Sequence, residues 1–153
     1  MAVDARGDII TLTTASVTDA FVRGAPLELN TSGYVINSAS EGSRHVIGFV
    51  ESPLAALSVA AQRVIAVRIR GLIECTGVAP FDAGADTSID PGDYVIARGA
   101  SGYVERVVGA ADISAANMNS YGGAVLGMVV SGSIIEPGAA STTGTLKIMI
   151  LRM

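Results

Sequence analysis

The sequence RVIAVRIRG, at residues 63–71, alternates in the way that is typical of a β-strand. Three aliphatic side chains, at positions 65, 67 and 69, fall on one face, whereas Arg68 and Arg70 fall on the other. Gly71 follows directly and indicates a bend or a β-bulge. The segment therefore predicts a long strand that buries its aliphatic face.

Strand signals continue on both sides of this segment. Short runs rich in β-branched and aromatic residues are separated by Gly, Pro, Asn and Asp, which form turns. We predict further strands at residues 8–13, 27–29, 34–36, 46–50, 94–97, 103–108, 125–130 and 146–151. Two segments, 54–62 and 112–118, have features of short helices, and residues 78–92 are predicted to form a loop.

The same order of four elements occurs twice along the chain. Each half has a Gly-led hairpin start, a Gly-Tyr-Val return, a strand with a central glycine and a long closing strand. These elements fall at residues 24–27, 33–35, 47–50 and 64–70, and again at residues 92–95, 102–104, 126–129 and 146–151. A curled unit of three or four strands cannot bury its apolar face alone, so two such units are expected to close on each other.

We therefore predict an all-β fold, a compact β-barrel or β-sandwich from two duplicated strand units, with one or two short helices at most. A single β domain is expected at residues 8–153, with pseudo-repeat halves at about 8–77 and 91–153. Residues 1–7 have no strand pattern, which predicts either a flexible N-terminal arm or a frayed terminus.

The charge composition argues for a protein whose surface is covered by another surface. Only 16% of the 153 residues are charged, against about 25% in an average soluble domain. Nine of the ten basic residues are arginines, and they are scattered, so nucleic-acid binding is not expected. The start of the chain does not resemble a signal peptide, and no apolar run reaches membrane-spanning length, so we expect synthesis in a cytoplasm and no membrane partner.

Residues with catalytic chemistry are scarce. The single histidine, His45, has no accompanying Ser-His-acid order or nucleophile-elbow motif, and we expect that the protein is not an enzyme. The single cysteine, Cys75, excludes an intrachain disulfide, and its position in a β-like run predicts a buried, inert thiol. One His and one Cys also exclude a zinc site of the usual kind.

An Asp-rich loop supplies the only candidates for metal ligands. Asp82, Asp86 and Asp90 are weak calcium candidates, because calcium binds carboxylate oxygens that converge from a flexible loop. Their spacing of four residues differs from the alternate-residue ligands of an EF-hand, and Asp and Gly are also ordinary turn formers. A solvated turn is the favoured interpretation, and no cofactor is expected.

Four stretches, at residues 7–13, 24–27, 46–50 and 60–71, carry a family resemblance. Together they resemble the small capsid decoration, or cement, proteins of tailed bacteriophages, in which a Gly-rich turn and a Val-x-Gly-x-Val strand precede an alternating strand that ends in Gly. The likeness covers most of the chain. The insertion at residues 109–123 departs from it.

The resemblance implies a structural virion protein on the outer capsid surface, assembled in the host cytoplasm. It implies a homotrimer that binds the major capsid protein and stabilises the shell. The N-terminal arm, with Ala2, Val3, Asp4 and Arg6, is the candidate capsid contact.

A second hypothesis is a β-barrel module of a phage tail or fibre, or a carbohydrate-binding accessory domain. Sugar binding predicts that exposed aromatic side chains are grouped on one face. The tyrosines available for this are Tyr34, Tyr94, Tyr103 and Tyr121.

Overall fold

A computed structural model describes residues 8–38, 43, 45–84, 86–99, 102–107, 124–135 and 138–151. Within these residues the protein is all-β. The strands are β1 (Ile9–Thr13), β2 (Pro26–Leu29), β3 (Val35–Asn37), β4 (Val46–Val50), β5 (Val64–Arg68), β6 (Gly71–Ala79), β7 (Tyr94–Ala97), β8 (Val104–Arg106), β9 (Gly127–Ser131) and β10 (Thr142–Ile150).

The first five strands form one unit. Their order in the sheet is β1-β5-β4-β2-β3, and every neighbouring pair is antiparallel. A single parallel bridge between Thr14 and Val35 joins the end of β1 to β3. This bridge brings the two edges of the sheet together at one point.

The last five strands repeat this topology. They form a closed barrel, and when its order is written from β6 it becomes β6-β10-β9-β7-β8. One parallel pair, Gly77 with Val104, joins β6 to β8 and closes the barrel. Strand for strand, β6 to β10 therefore correspond to β1 to β5, and the closing pair corresponds to the bridge between Thr14 and Val35.

Backbone hydrogen bonds outside the strands repeat as well. The amide of Gly24 donates to the carbonyl of Val50 at 2.9 Å, and the amide of Gly92 donates to that of Val129 at 2.8 Å. The bridge between Phe21 and Leu54 has a counterpart that joins Ile89 and Ile134. The prediction of two duplicated strand units is confirmed at the level of single hydrogen bonds.

The boundary between the units differs from the predicted halves at 8–77 and 91–153. All nine residues of β6 pair with β10, so residues 71–77 belong to the second unit. The predicted loop at 78–92 also begins two residues later, because Val78 and Ala79 are buried and continue β6. The apolar alternation of residues 63–71 runs into β6 without a polar turn, and only Gly71, at φ +87°, marks the change of unit.

The predicted helix at 54–62 is wrong. Leu54 pairs with Phe21 and Ala61 with Val17 as isolated bridges, so the segment runs in extended form beside the first unit. Only two of its aliphatic residues, Leu54 and Leu57, are even partly buried, which leaves no apolar stripe for a helix to bury. The other helix candidate, 112–118, lies outside the described residues.

Each unit has its own hydrophobic core. Seven residues form that of the first unit: Phe21, Ala25, Leu27, Val35, Val50, Ile65 and Val67. The core of the second unit contains the equivalents of six of these side chains, the exception being Ala25, and it also includes Val46 and Phe49 from β4 of the first unit. Phe49 is only 1% exposed, so the first unit contributes a large side chain to the core of the second.

The central glycines of β4 and β9 allow neighbouring strands to approach closely. A Cβ on Gly48 would lie 2.6 Å from the Arg68 carbonyl oxygen, and one on Gly127 would lie 2.5 Å from the Met149 carbonyl oxygen. Arg68 and Met149 are equivalent residues of β5 and β10. Both units therefore need glycine at the same place, because any side chain would push the last strand away from its neighbour.

We expect Gly48→Ala and Gly127→Ala each to lower the free energy of unfolding by about 1–3 kcal/mol, because the methyl group collides with backbone that cannot rotate away. The control is Gly138→Ala, where a Cβ meets nothing within 4 Å. Urea denaturation followed by circular dichroism measures all three. Equal stability of Gly127→Ala and Gly138→Ala would contradict the close approach.

Candidate functional site

His45 does not form a catalytic arrangement in the described part of the chain. It is exposed just before β4, and its backbone amide donates to Ser43 Oγ at 3.2 Å. None of the described carboxylates forms an ion pair with it. No described residue positions the His45 imidazole in the way that a catalytic base requires.

Cys75 lies in β6 with its side chain in the core of the second unit, where it is 3% exposed. Burial, with a smaller contribution from the charge of Glu74, raises the pKa of the thiol from 9.0 to about 12. The thiolate is the reactive form of cysteine, so this thiol is inert in the folded protein. The predicted burial of Cys75 is confirmed.

We expect Cys75 not to react with Ellman's reagent between pH 7 and about pH 9 while the protein is folded. Because the pKa is raised in the folded state, the neutral thiol adds stability that is lost only as the pH rises above the pKa of the unfolded chain. Reaction in increasing urea should follow the unfolding curve. Rapid reaction of the native protein at pH 8 would show that the thiol is accessible.

Asp82 and Asp86 form local turns instead of a shared site. Asp82 Oδ1 accepts a hydrogen bond from the amide of Gly84 at 3.0 Å, and Asp86 Oδ1 accepts one from the amide of Ser88 at 2.9 Å. Both aspartates are exposed. The hydrogen bond from Ser88, helped by Arg106, holds the pKa of Asp86 below its usual value.

Asp90, the third calcium candidate, lies at the start of the next turn. Its backbone amide donates to Asp93 Oδ2 at 2.8 Å, and its side chain is exposed. The guanidinium of Arg106 lies 3.7 Å from both Asp86 and Asp93, so it offsets part of the negative charge of this loop. Within the described ranges, no three His, Cys, Asp or Glu side chains are close enough together to hold a metal ion.

We expect millimolar calcium to leave the melting temperature unchanged, because a ligand raises it only by binding the folded state. The measurement is differential scanning fluorimetry in CaCl₂ and in EGTA, with MgCl₂ as the control for ionic strength. A calcium-specific rise in melting temperature that disappears in Asp86→Asn would contradict this expectation.

Two ion-paired clusters brace the strands. Glu51 accepts a hydrogen bond from Arg68 Nε at 2.7 Å and lies 3.6 Å from Arg23, and the hydrogen bond from Arg68 is the main reason that the pKa of Glu51 is lowered. Arg98 pairs with the buried carboxylate of Glu105 across the hairpin of β7 and β8. These groups are satisfied within the fold and have a structural role.

An exposed row of apolar side chains crosses the outside of the second unit. Leu72 of β6, Met149 of β10, Met128 of β9 and Tyr94 of β7 are successive register partners on four neighbouring strands. The residues that follow Leu72, Met149, Met128 and Tyr94 in their strands are buried in the core, so these four side chains point outwards. Leu72 is 51% exposed and Tyr94 is 50% exposed. We call this row the apolar belt.

The sequence pattern does not reveal the apolar belt, because the alternation of residues 146–151 predicts a strand with one buried face and does not indicate that Met149 on the other face joins apolar side chains of neighbouring strands. The low charge content predicts a covered surface without locating it. Which face remains uncovered depends on how the units pack.

The described tyrosines are dispersed. Tyr94 and Tyr103 lie at opposite ends of the β7–β8 hairpin, since Val107 meets Tyr94 and Arg98 meets Tyr103 through backbone hydrogen bonds. Tyr34 occupies the position in the first unit that Tyr103 occupies in the second. Tyr121 lies outside the described residues. The arrangement expected of a sugar-binding face is therefore absent from the described part.

Other predicted features also lie outside the described residues. They are the N-terminal arm with Ala2, Val3, Asp4 and Arg6, and the insertion at residues 109–123. Among the residues that are described, no helix has the length and apolar character needed to cross a membrane. No protein-family model matches the chain, and no curated protein or solved structure matches it either.

Proposed function

We propose that this chain is a structural virion protein that binds the outer surface of a tailed-phage capsid as an oligomer and stabilises the shell. The observation that carries the proposal is the apolar belt. Contiguous exposed apolar surface is uncommon on soluble monomers and marks sites where another surface docks. The belt lies on paired strands, so it is presented in a fixed shape.

The architecture suits a structural role. In each unit every strand is paired on at least one side, and the sheet edges meet through one parallel pairing. A rigid surface of this kind loses little conformational entropy on binding. The identity of the partner, a phage shell, comes from the sequence resemblance, which also supplies the trimer and the location on the virion.

The alternative is a β-barrel module of a phage tail or fibre, or a carbohydrate-binding accessory domain. The dispersed positions of Tyr34, Tyr94 and Tyr103 count against carbohydrate binding, because sugars bind where aromatic faces converge. A tail or fibre module would use the same docking surface. Only the identity of the binding partner therefore distinguishes this alternative from the first proposal.

The test is cosedimentation with expanded, DNA-free shells of the tailed phage whose genome carries the chain. We expect saturable binding at a fixed ratio to the major capsid protein, and shells that open at a higher temperature when the protein is bound. A protein that is strictly monomeric and fails to bind these shells would contradict the proposal, and binding to isolated tails would favour the alternative.

The N-terminal arm provides a sharper form of the test. We expect Arg6→Glu to weaken binding to the shells while the oligomer remains intact, because the arm is proposed to contact the capsid. Arg70→Glu is the matched control, since Arg70 is exposed between the two units. Equal shell binding by Arg6→Glu and wild type would remove the arm from the proposal.

A further inference from the structure

The junction between the two units of one chain has two sides. The first unit supplies Pro26, Val46 and Phe49, all of which are buried, although Phe49 points away from its own core. We call these three residues, and their equivalents in the second unit, the docking face. Pro26 and Phe49 are register partners, just as Tyr94 and Met128 are in the second unit.

The second unit supplies an open strand edge. In the described part of the chain β6 pairs with β8 only at Gly77, so no described strand lies on that side of the first part of β6. Gly24 packs there, and a Cβ on it would lie 2.7 Å from Cys75 Cα. Ala25 lies against Gly102, since a Cβ added to Gly102 would lie 3.3 Å from the Cβ of Ala25. In each unit, we call the edge of the first strand that faces the third strand the receiving edge.

The docking face of the second unit is uncovered. Tyr94, which is equivalent to the buried Pro26, is 50% exposed, and Met128, which is equivalent to Phe49, is only partly buried. Tyr94 and Met128 form one end of the apolar belt. A surface that is closed by protein in the first unit is therefore open in the second.

The receiving edge of the first unit is uncovered in the same way. Among the described residues, β1 and β3 meet only through the bridge between Thr14 and Val35. Ile10 and Leu12 pack on the core of the first unit but remain partly exposed, whereas the equivalent Ile73 and Cys75 are 3% exposed. The difference is that Phe49 and Val46 close the core beside β6, whereas no described residue of the second unit does so beside β1.

Two pairs of equivalent glycines show the same difference between a covered and an uncovered surface. Gly24, in the loop beside the first docking face, and Gly102, beside the second receiving edge, both pack against the other unit. Their equivalents are Gly92 and Gly33. A Cβ on either of these would meet nothing within 4 Å. Both halves of a second junction are thus present in each chain and are unused.

We infer that the docking face of the second unit, centred on Tyr94 and Met128, binds the receiving edge of the first unit, at β1, of a second copy of this chain. The occupant is a second copy because the chain itself shows that a docking face of this fold fits a receiving edge of this fold. The two surfaces differ, so the contact is head to tail, and repetition gives a ring where the rotation between copies closes and an open filament where it does not.

This inference deepens the proposed function, on which it rests for oligomer formation, by assigning the surfaces through which the oligomer forms. It requires no shell. A ring of chains would place every unit between two others, and all junctions would resemble the one observed within the chain.

The residues at the equivalent positions of the two units differ in charge, and this difference is compatible with a second junction. Arg23 and Glu74 line a cleft where the units of one chain meet. Their equivalents are Pro91 and Thr11, so the second junction has no such pair of charges. Thr11 points outwards, because its neighbours Ile10 and Leu12 pack on the core. A glutamate at this position would face the acidic loop that precedes β7 and would be repelled.

The first experiment is size-exclusion chromatography with light scattering on the full chain. We expect wild type to form a defined oligomer and Tyr94→Glu and Thr11→Glu each to reduce it to the monomer. The matched control is Val59→Glu, at a side chain that is 75% exposed and belongs to neither the docking face nor the receiving edge, which should leave the oligomer intact. Circular dichroism verifies that all three variants remain folded.

The second experiment mixes the two disruptive variants. Tyr94→Glu keeps an intact receiving edge, and Thr11→Glu keeps an intact docking face, so an equimolar mixture should form a heterodimer and stop there. This outcome is specific to a head-to-tail contact. If both variants are monomeric and the mixture is also monomeric, the contact is not the one inferred.

A wild type that stays monomeric at high concentration overturns the inference, as does a folded Tyr94→Glu that assembles like wild type. A monomeric wild type whose β1 amides are nevertheless protected from hydrogen exchange assigns the receiving edge to another segment of the same chain. Oligomers that respond to the variants as expected but do not bind shells leave this inference standing and overturn the proposed function. Shell binding by a monomer overturns this inference and leaves the shell-binding part of the proposed function standing.

Discussion

A single parallel backbone pairing joins the first and third strands of each unit. The rest of the structure depends on how much of the first strand's edge this pairing leaves open. The pairs are Thr14 with Val35 and Gly77 with Val104. Beyond them, the edge of the first strand is unpaired and the core beside it is accessible. In the second unit this opening is closed by Phe49 and its neighbours, which tie the five-stranded sheet and the small barrel into one body. A unit of five short strands gains little stability alone, so the side chains shared between the units stabilise both.

The two units have the same hydrogen-bonding plan and different surroundings. Phe49 and Met128 occupy one position of the fold, yet the first is buried by the other unit and the second is partly exposed. An internal repeat within one chain necessarily leaves one docking face and one receiving edge at its ends. Exposed apolar side chains at those ends are a consequence of the repeat, and they are costly to leave in water. Oligomer formation is a direct way to remove that cost.

Local rules were sufficient for some parts of the chain and failed for others. Alternation and turn residues predicted the strands, because period two and Gly or Pro breaks are local properties. They also predicted the burial of Cys75. They predicted a helix at 54–62 from its alanines and leucines, where backbone pairing with Phe21 holds the segment extended. Asp82 and the other acidic candidates were visible in the sequence, but whether carboxylates converge depends on loop geometry that spacing does not fix.

The sequence by itself determined the fold class, the duplication and the burial of Cys75. These follow from the pattern of side chains along each strand and from the order of equivalent motifs. Only the tertiary structure decided that β6 belongs to the second unit, that Phe49 enters a neighbouring core, and that Tyr94 and Met128 remain outside. The physical reason is that alternation specifies two faces for a strand but does not specify which face meets protein and which meets water. That choice is made when the two units pack, and it leaves one docking face and one receiving edge without a partner.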